Sequence, residues 1–377
     1  MNKTRVYVDA TSLATDKLSG IQHTALEISK ALARQGGVEI VLLAPLGTRN
    51  IIKKHDTGLL TVRTIPFSKK MLSLIARTRF APAMDIFIGK GTYLFPDYRN
   101  WPLAFSKSIT YIHDAAFYLY PETLAPKNLS YIRKNINLWT GRTDLVVTVS
   151  QSSKKDLEKA LNISPEKIKV VYNGIDPDFY KKKPTKEIQN IKSKYKIKND
   201  YLLHVGNFEP RKNIPLLVNA YIQISHKINK KISLVLIGGN SWKSEEIENS
   251  IKQANILGLE IIKPSKFVPD EDLPALYSGA LALVHPAIYE GFGLTPLQAM
   301  ACGAPVIVAD NSSLPEVVGE SALLFASNDA KALAEQLEKI LTNHSTRNIL
   351  SKKGPEQAKK FTWQKSSEKL LEIIKNL

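Results

Sequence analysis

The chain has a single cysteine, Cys302, among 377 residues, which rules out an internal disulfide framework and a cysteine-built zinc site. It also lacks any apolar stretch of the ~18 residues needed to cross a bilayer. The amino terminus, MNKTRVYVDATSL, sets charge beside a strand-like run and has no signal-peptide pattern, so a cytosolic protein is expected. Short-period repeats and low-complexity tracts are missing too. Acidic residues are scarce: 35 Asp and Glu face 52 Lys and Arg, leaving a net charge of +17. The imbalance is uneven, since residues 1–182 hold 27 cations against 15 anions, a surplus of 12 that leaves 5 for the remainder. Such a field favours phosphates, anionic lipid surfaces or nucleic acid without choosing among them.

What is present suits a globular α/β protein. At 44% hydrophobic and 23% charged residues the chain can bury sizeable cores, and its length exceeds the roughly 100–200 residues of one domain. Short β-branched runs alternate with loops and helix-period segments, the pattern of parallel sheets covered by helices. The runs Arg5–Asp9, Glu39–Ala44, Asp85–Gly89, Ser108–Ile112 and Asp144–Ser150 form one array. Tyr201–Val205, Ile232–Ile237, Gly258–Ile262, Ala280–His285 and Pro305–Ala309 form a second. Between them lies a turn-rich stretch from Asn173 through the lysines and proline of Lys181–Lys186. Two Rossmann-like domains are therefore expected, 1–183 and 184–358, with an amphipathic last helix at 359–377 returning to the first.

One stretch is richest in chemical signal. From His285 it reads HPAIYEGFGLTPLQAMACG: a strand end, a glycine-bearing loop with one carboxylate, Glu290, and a helix with Pro296 in its first turn. Glycines let a diphosphate approach the backbone, and the helix's unbonded amides and positive dipole end stabilise its charge. Alone, it reads equally well as an ordinary βα turn. A second strand end, Val205-Gly206-Asn207-Phe208-Glu209-Pro210-Arg211-Lys212-Asn213, supplies two adjacent cations able to neutralise a leaving diphosphate without a metal. Cys302, between Ala301 and Gly303, is expected in a core.

Taken together with Leu314-Pro315-Glu316-Val317-Val318-Gly319, these segments resemble the retaining GT-B glycosyltransferases of family four, over nearly the whole chain. Ser19-Gly20-Ile21, Tyr111-Ile112-His113-Asp114, Val149–Ser153 and Val171–Asp176 extend the likeness through the first half. The resemblance implies two Rossmann-like domains facing across a cleft. It implies Glu290 on the hydroxyls of the donor sugar and His113 as the second catalytic candidate, reaching sugar hydroxyls from the opposing domain. It further implies the amides around Phe292, Gly293, Leu294 and Thr295 on the diphosphate, Arg211 and Lys212 balancing phosphate charge beside Gly206, and Gly20 in a loop that closes over the phosphates. The nucleoside diphosphate sugar is a substrate, so no cofactor and no metal are expected.

Two positions depart from the family pattern. Eight residues after Glu290 a second glutamate is usual, and here Gln298 stands; it can hydrogen-bond a ribose hydroxyl but lacks the charged acceptor. Asn207 stands where many relatives have arginine. The reaction implied is transfer of a hexose, with retention, to a hydroxyl of a polysaccharide or lipid-linked glycan; the His113-Asp114 strand end followed by Tyr118-Leu119-Tyr120-Pro121 resembles bacterial polysaccharide mannosyltransferases, which implies mannose from GDP-mannose, with UDP-glucose, UDP-N-acetylglucosamine and a rhamnose donor as alternatives. Ser68–Phe80 mixes basic and apolar residues at helical spacing, which suits either peripheral contact with an anionic membrane or an ordinary surface helix.

Competing readings have less support. A GT-B nucleotide-sugar epimerase would share the architecture. A basic nucleic-acid-binding protein would share the charge, yet no recognised module or aromatic-basic stacking signature is present, and no nucleic-acid partner is expected. Asp176-Pro177-Asp178 copies the Asp-x-Asp of unrelated metal-dependent transferases but lies in the linker-like turn. No Gly-x-Ser-x-Gly elbow accompanies His113-Asp114, and Gly89-Lys90-Gly91-Thr92 lacks P-loop spacing.

Overall fold

The computed structural model describes residues 4–228, 230–239 and 241–377. They fall into two compact units. One comprises the chain up to Pro121, Pro126–Gly174 and the terminal helix Trp363–Leu377; the other comprises Glu122–Ala125 and Ile175–Thr362. Apart from the short segment Glu122–Ala125, the chain changes unit at 174/175 and 362/363, compared with the 183/184 and 358/359 expected from turn composition and the amphipathic last segment. The lysine-rich stretch after Asp176 thus belongs with the second unit.

The first unit holds a seven-stranded parallel sheet in the order β3-β2-β1-β4-β5-β6-β7. Its strands are β1 (Thr4–Asp9), β2 (Val38–Ala44), β3 (Thr61–Thr64), β4 (Thr92–Phe95), β5 (Lys107–Tyr111), β6 (Leu145–Thr148) and β7 (Ile168–Val170). The second unit holds a six-stranded parallel sheet in the order β10-β9-β8-β11-β12-β13. These are β8 (Asp200–Val205), β9 (Ile232–Ile237), β10 (Ile261–Ile262), β11 (Ala282–His285), β12 (Val306–Ala309) and β13 (Leu323–Phe325). Helices cover both faces, so central strands such as Val38–Ala44 and Ile232–Ile237 are apolar almost without alternation and nearly all buried. Strand order reverses between β1 and β4 in one sheet and between β8 and β11 in the other. At such switch points open α/β sheets bind ligands, beyond the carboxyl ends of the strands.

Asp85–Gly89, expected as a strand, is a short helix, Asp85–Ile88, ended by Gly89 at φ +124°. A five-residue apolar run cannot by itself distinguish strand from helix. Tertiary contacts decide: the buried Asp85 carboxylate accepts from the backbone N–H groups of Ala104 (3.0 Å) and Phe105 (2.7 Å). Met84 and Ile88 pack into a core with Tyr7, Tyr93, Phe95 and Trp101, and the strand next to β1 forms seven residues later. The short strands β3, β7 and β13 carry too few apolar residues to stand out in the sequence. The terminal helix Trp363–Lys375 buries Leu370, Ile373 and Ile374 and lies beside the helix Gly20–Gln35. Gln35 Nε2 donates to Ser367 Oγ across that contact at 3.2 Å.

Candidate active site

The second unit's switch point is built by two loops that leave β8 and β11. After β8, Gly206 (φ +156°) passes so close to Gly238 (φ +158°) that a Cβ on Gly238 would lie 1.9 Å from the Gly206 carbonyl oxygen. Only glycine fits there. Fully buried Phe208 anchors the loop, and its N–H bonds the Gly239 carbonyl at 2.8 Å. A 3-10 turn, Pro210–Lys212, then presents Arg211 and Lys212 before Asn213 turns left-handed at φ +51°.

The loop after β11 is tied to this turn by the Ile288 N–H to the Arg211 carbonyl, 2.9 Å. Two serines clamp Glu290 at its backbone: Ser312 Oγ accepts from its N–H at 2.9 Å, and Ser313 Oγ donates to its carbonyl at 2.8 Å. Gly293 at φ +103° then starts the helix Leu294–Ala301, and a Cβ on it would meet Leu314 at 3.0 Å. The first-turn N–H groups of Leu294 and Thr295 have no intrahelical carbonyl to bond. Phe292 is buried at the root of this loop, its ring edge-on to Phe361 at 5.7 Å.

The structure gathers Gly206, Arg211, Lys212, Glu290 and Phe292–Thr295 at one strand-end crevice. Lys212 Nζ bonds Glu290 Oε1, Arg211 Nη1 lies 3.6 Å from Oε2, and His285 Nε2 lies 3.0 Å from Oε1. Arg211 also pairs with Glu209 at 3.1 Å and donates to the Tyr289 carbonyl at 3.3 Å. Burial alone would push the Glu290 carboxyl up; Lys212 first, then Arg211 and His285, overcome it and hold the carboxyl well below the usual carboxylate range. His285 itself is pushed down by burial, and buried His204 beside it down to about 3. The result is a fixed carboxylate surrounded by donors, able to accept sugar hydroxyls, next to two cations and a helix start able to take a diphosphate.

Gln298 lies in the same helix, half-buried, with Oε1 accepting from the buried Tyr277 hydroxyl at 3.2 Å. Its amide N–H groups have no protein partner among the described residues. Asp176, rejected as a metal ligand, caps a turn by accepting from the Asp178 N–H at 2.8 Å. Cys302 is fully buried, its thiol pushed up to about 12 by burial.

His113 and Gly20 belong to the first unit. His113 follows β5, half-buried, its Nε2 bonding the Pro96 carbonyl at 2.9 Å. Gly20 is the exposed first residue of the helix Gly20–Gln35, with open space where a Cβ would sit, so local sterics do not demand glycine there. At this unit's own switch point Asp9 ends β1, buried, accepting from Thr11 N–H at 2.9 Å, with Arg99 and Asp97 following β4. The sequence reading missed this trio, together with Gly238, Ser312, Ser313 and the histidine pair. Its available signal was a charged or imidazole side chain at or next to the end of an otherwise apolar strand, in the runs VYVD, LLHV and ALVH.

Comparison with known proteins bears on the family and the fold. A family described as glycosyl transferases group 1 matches residues 185–357, and glycosyltransferase family 4 matches residues 18–179. The chain is 31% identical to O-antigen chain mannosyltransferase B of Escherichia coli over 277 residues, which is 73% of this chain and 72% of that protein. It is 30% identical to the serotype-specific mannosyltransferase WbdA of Escherichia coli over 61% of this chain, spanning 28% of that longer protein. Among solved structures, Anabaena Alr3699/HepE in complex with UDP and glucose superposes over 100% of both chains with a TM-score of 0.74 at 18% identity. That likeness shows the GT-B fold.

Proposed function

The chain belongs to glycosyltransferase family 4, and on that premise we propose that it transfers mannose from GDP-mannose, with retention at the anomeric carbon, to a hydroxyl of a polysaccharide or lipid-linked glycan. The observation that carries this reading is the ionised Glu290 held among Lys212, Arg211 and His285 beside a helix start. Glu290 accepts hydroxyls of the donor sugar. Arg211, Lys212 and the helix amides take the diphosphate, whose charge grows as the C1–O bond breaks, so they bind the transition state better than the ground state. His113 meets sugar hydroxyls, Gly206 leaves room for the cation-bearing turn, and Gln298 holds the ribose. These cations replace a metal. Names of relatives that are mannosyltransferases support the sugar; the nucleotide follows from that sugar's usual activated form.

A panel of nucleotide sugars scored by thermal shift tests the donor, because a ligand at 100 times its dissociation constant stabilises by ~2.7 kcal/mol. GDP-mannose should give the largest shift, and incubation with a glycan acceptor should yield an α-mannoside without chelator sensitivity. Larger shifts with UDP sugars would replace the donor, change of the sugar nucleotide alone would indicate an epimerase, and activity lost to chelator but restored by magnesium would end the metal-free reading.

We also place the enzyme peripherally at the cytoplasmic membrane face. In the helix Lys69–Arg77, Leu72 and Ala76 are buried while Met71 and Leu74 stand exposed beside Lys69 and Lys70. Phe80, 96% exposed, follows. Such basic and apolar surface suits anionic lipid. Phe80→Ser with Leu74→Ser should abolish flotation with vesicles rich in phosphatidylglycerol; unchanged flotation would remove this surface as the contact.

A further inference from the structure

Neighbouring strands β8 and β11 each carry one histidine near the carboxyl end, His204 and His285. Both are fully buried, 0% and 1% exposed, and their rings stack with centroids 5.9 Å apart and planes 14° apart. Acceptors fix where each ring keeps its proton. His204 Nδ1–H donates to the Val284 carbonyl at 3.0 Å, and His285 Nε2–H donates to Glu290 Oε1 at 3.0 Å. The other nitrogens, His204 Nε2 and His285 Nδ1, are buried without a partner among the described residues. Two unpartnered buried nitrogens cost stability, which points to a role outside folding. Burial and the Lys212 ammonium push both rings toward the neutral form, Arg211 adds to this at His285, and the Glu290 carboxylate pulls the other way.

We propose that this neutral histidine pair is a positioning device for Glu290, with His285 as the donor that stays when the cations turn to phosphate. The inference rests on the reading of Glu290 above. In the free chain Glu290 is shared by Lys212, Arg211 and His285. A nucleoside diphosphate draws the two cations toward its own charge, whereas a neutral imidazole has no charge to give it. The His285 N–H then keeps the carboxylate aimed at the sugar. His204 braces that ring by stacking. Its bare Nε2 faces the same space as the Lys212 side chain, since a Cβ on Gly206 would lie 3.5 Å from the one and 3.6 Å from Lys212 Cε.

The test compares His285→Leu, which deletes the donor, with His285→Gln, whose amide can restore an N–H near Nε2. Binding of GDP, or UDP if the donor panel selects it, should stay within about twofold of wild type in both. Turnover at saturating donor should fall roughly 10- to 100-fold in His285→Leu, the size of one hydrogen bond to a charged group, and recover most of the way in His285→Gln. Normal turnover in His285→Leu, or equal slowing in both variants with normal nucleotide binding, would overturn the inference. Should His285→Leu not fold, ¹⁵N spectra of wild type assigned through His285→Gln decide. A neutral Nε2–H ring from pH 5 to 8, with and without nucleotide, supports the role, and a titrating or Nδ1–H ring overturns it. Glu290→Gln assayed in parallel separates the two readings: an active Glu290→Gln removes Glu290 itself, while an inactive one beside a fully active His285→Leu removes only the histidine.

Discussion

The two sheets share a strand order around their reversal point and place opposite electrostatic states there. Beyond β1 and β4, Asp9 is buried, and burial pushes its carboxyl above the ordinary value against the pull of Arg99 and Thr11. Beyond β8 and β11, Glu290 is buried as deeply, yet two cations hold it well below that value. Topology therefore selects where a buried carboxylate can sit, and the neighbouring loops decide whether it is ionised. In the second unit two cations sit within bonding distance of the acid. In the first, Asp97 shares Arg99 with Asp9 and adds its own repulsion.

The largest effect should come from Glu290→Gln, which keeps size and removes charge. Turnover should drop by about 10²–10³-fold, as for loss of one transition-state contact, while the same exchange at Asp9 should cost less than about tenfold. Steady-state kinetics at saturating donor check both. Equal losses at the two positions would erase the contrast between the units. Next come Lys212→Ala and Arg211→Ala, each expected to lower kcat/KM roughly 10- to 100-fold. Lys212 should matter more, because its side chain is 13% exposed against 22% for Arg211, which also divides its charge with Glu209. A larger loss at Arg211 would show that diphosphate binding, not the grip on Glu290, dominates the cations' contribution.

Smaller, and opposite in sign, are the expected stability slopes. Glu290's folded value lies below its unfolded one near ~4.3, so its contribution is present above that pH and fades as pH falls through the folded value. Asp9's folded value lies above its unfolded one, so its ionisation weakens the fold as pH rises between the two. Relative to wild type, Glu290→Gln should therefore lose ground and Asp9→Asn should gain it as pH rises from about 3 to 6. Urea melts across that range measure both. Parallel slopes would mean that the two acids do not differ in ionisation.

These contrasts were only partly legible in the sequence. Runs such as Tyr201–Val205 and Ile232–Ile237 announce buried parallel strands because helices on both faces require apolar residues throughout. Glu290, Arg211 and Lys212 were found because glycines and proline mark the loops that carry them. Asp85–Ile88 was misjudged because its carboxylate answers to Ala104 and Phe105, nearly twenty residues away. Asp9, His204 and His285 went unread for a similar reason. Each sits at or next to the end of an apolar strand, where a polar residue is easily taken as a boundary, and only the neighbouring strand reveals what it faces.

The smallest effect is expected at Gln298, and it bears on how far the second unit's charge extends. Tyr277 is fully buried, its hydroxyl pushed well above 10 by burial, so it stays protonated and donates to Gln298 Oε1. It would donate equally to a carboxylate. Gln298→Glu is thus accommodated without loss of that bond, while the outward group changes from an amide, which donates, to an anion that only accepts. If the group holds ribose hydroxyls, both of which can donate, the donor should bind more tightly by about 1 kcal/mol, near fivefold in Kd. Turnover at saturating donor should barely move, because the ribose is remote from the breaking bond and its contact is the same in ground and transition states. Calorimetric Kd and kcat for the variant check this. Unchanged or weaker binding would mean that the anion repels the nearby diphosphate more than it holds the ribose. The glutamine would then be matched to its surroundings, and the influence of Arg211 and Lys212 would end short of the second turn of the helix.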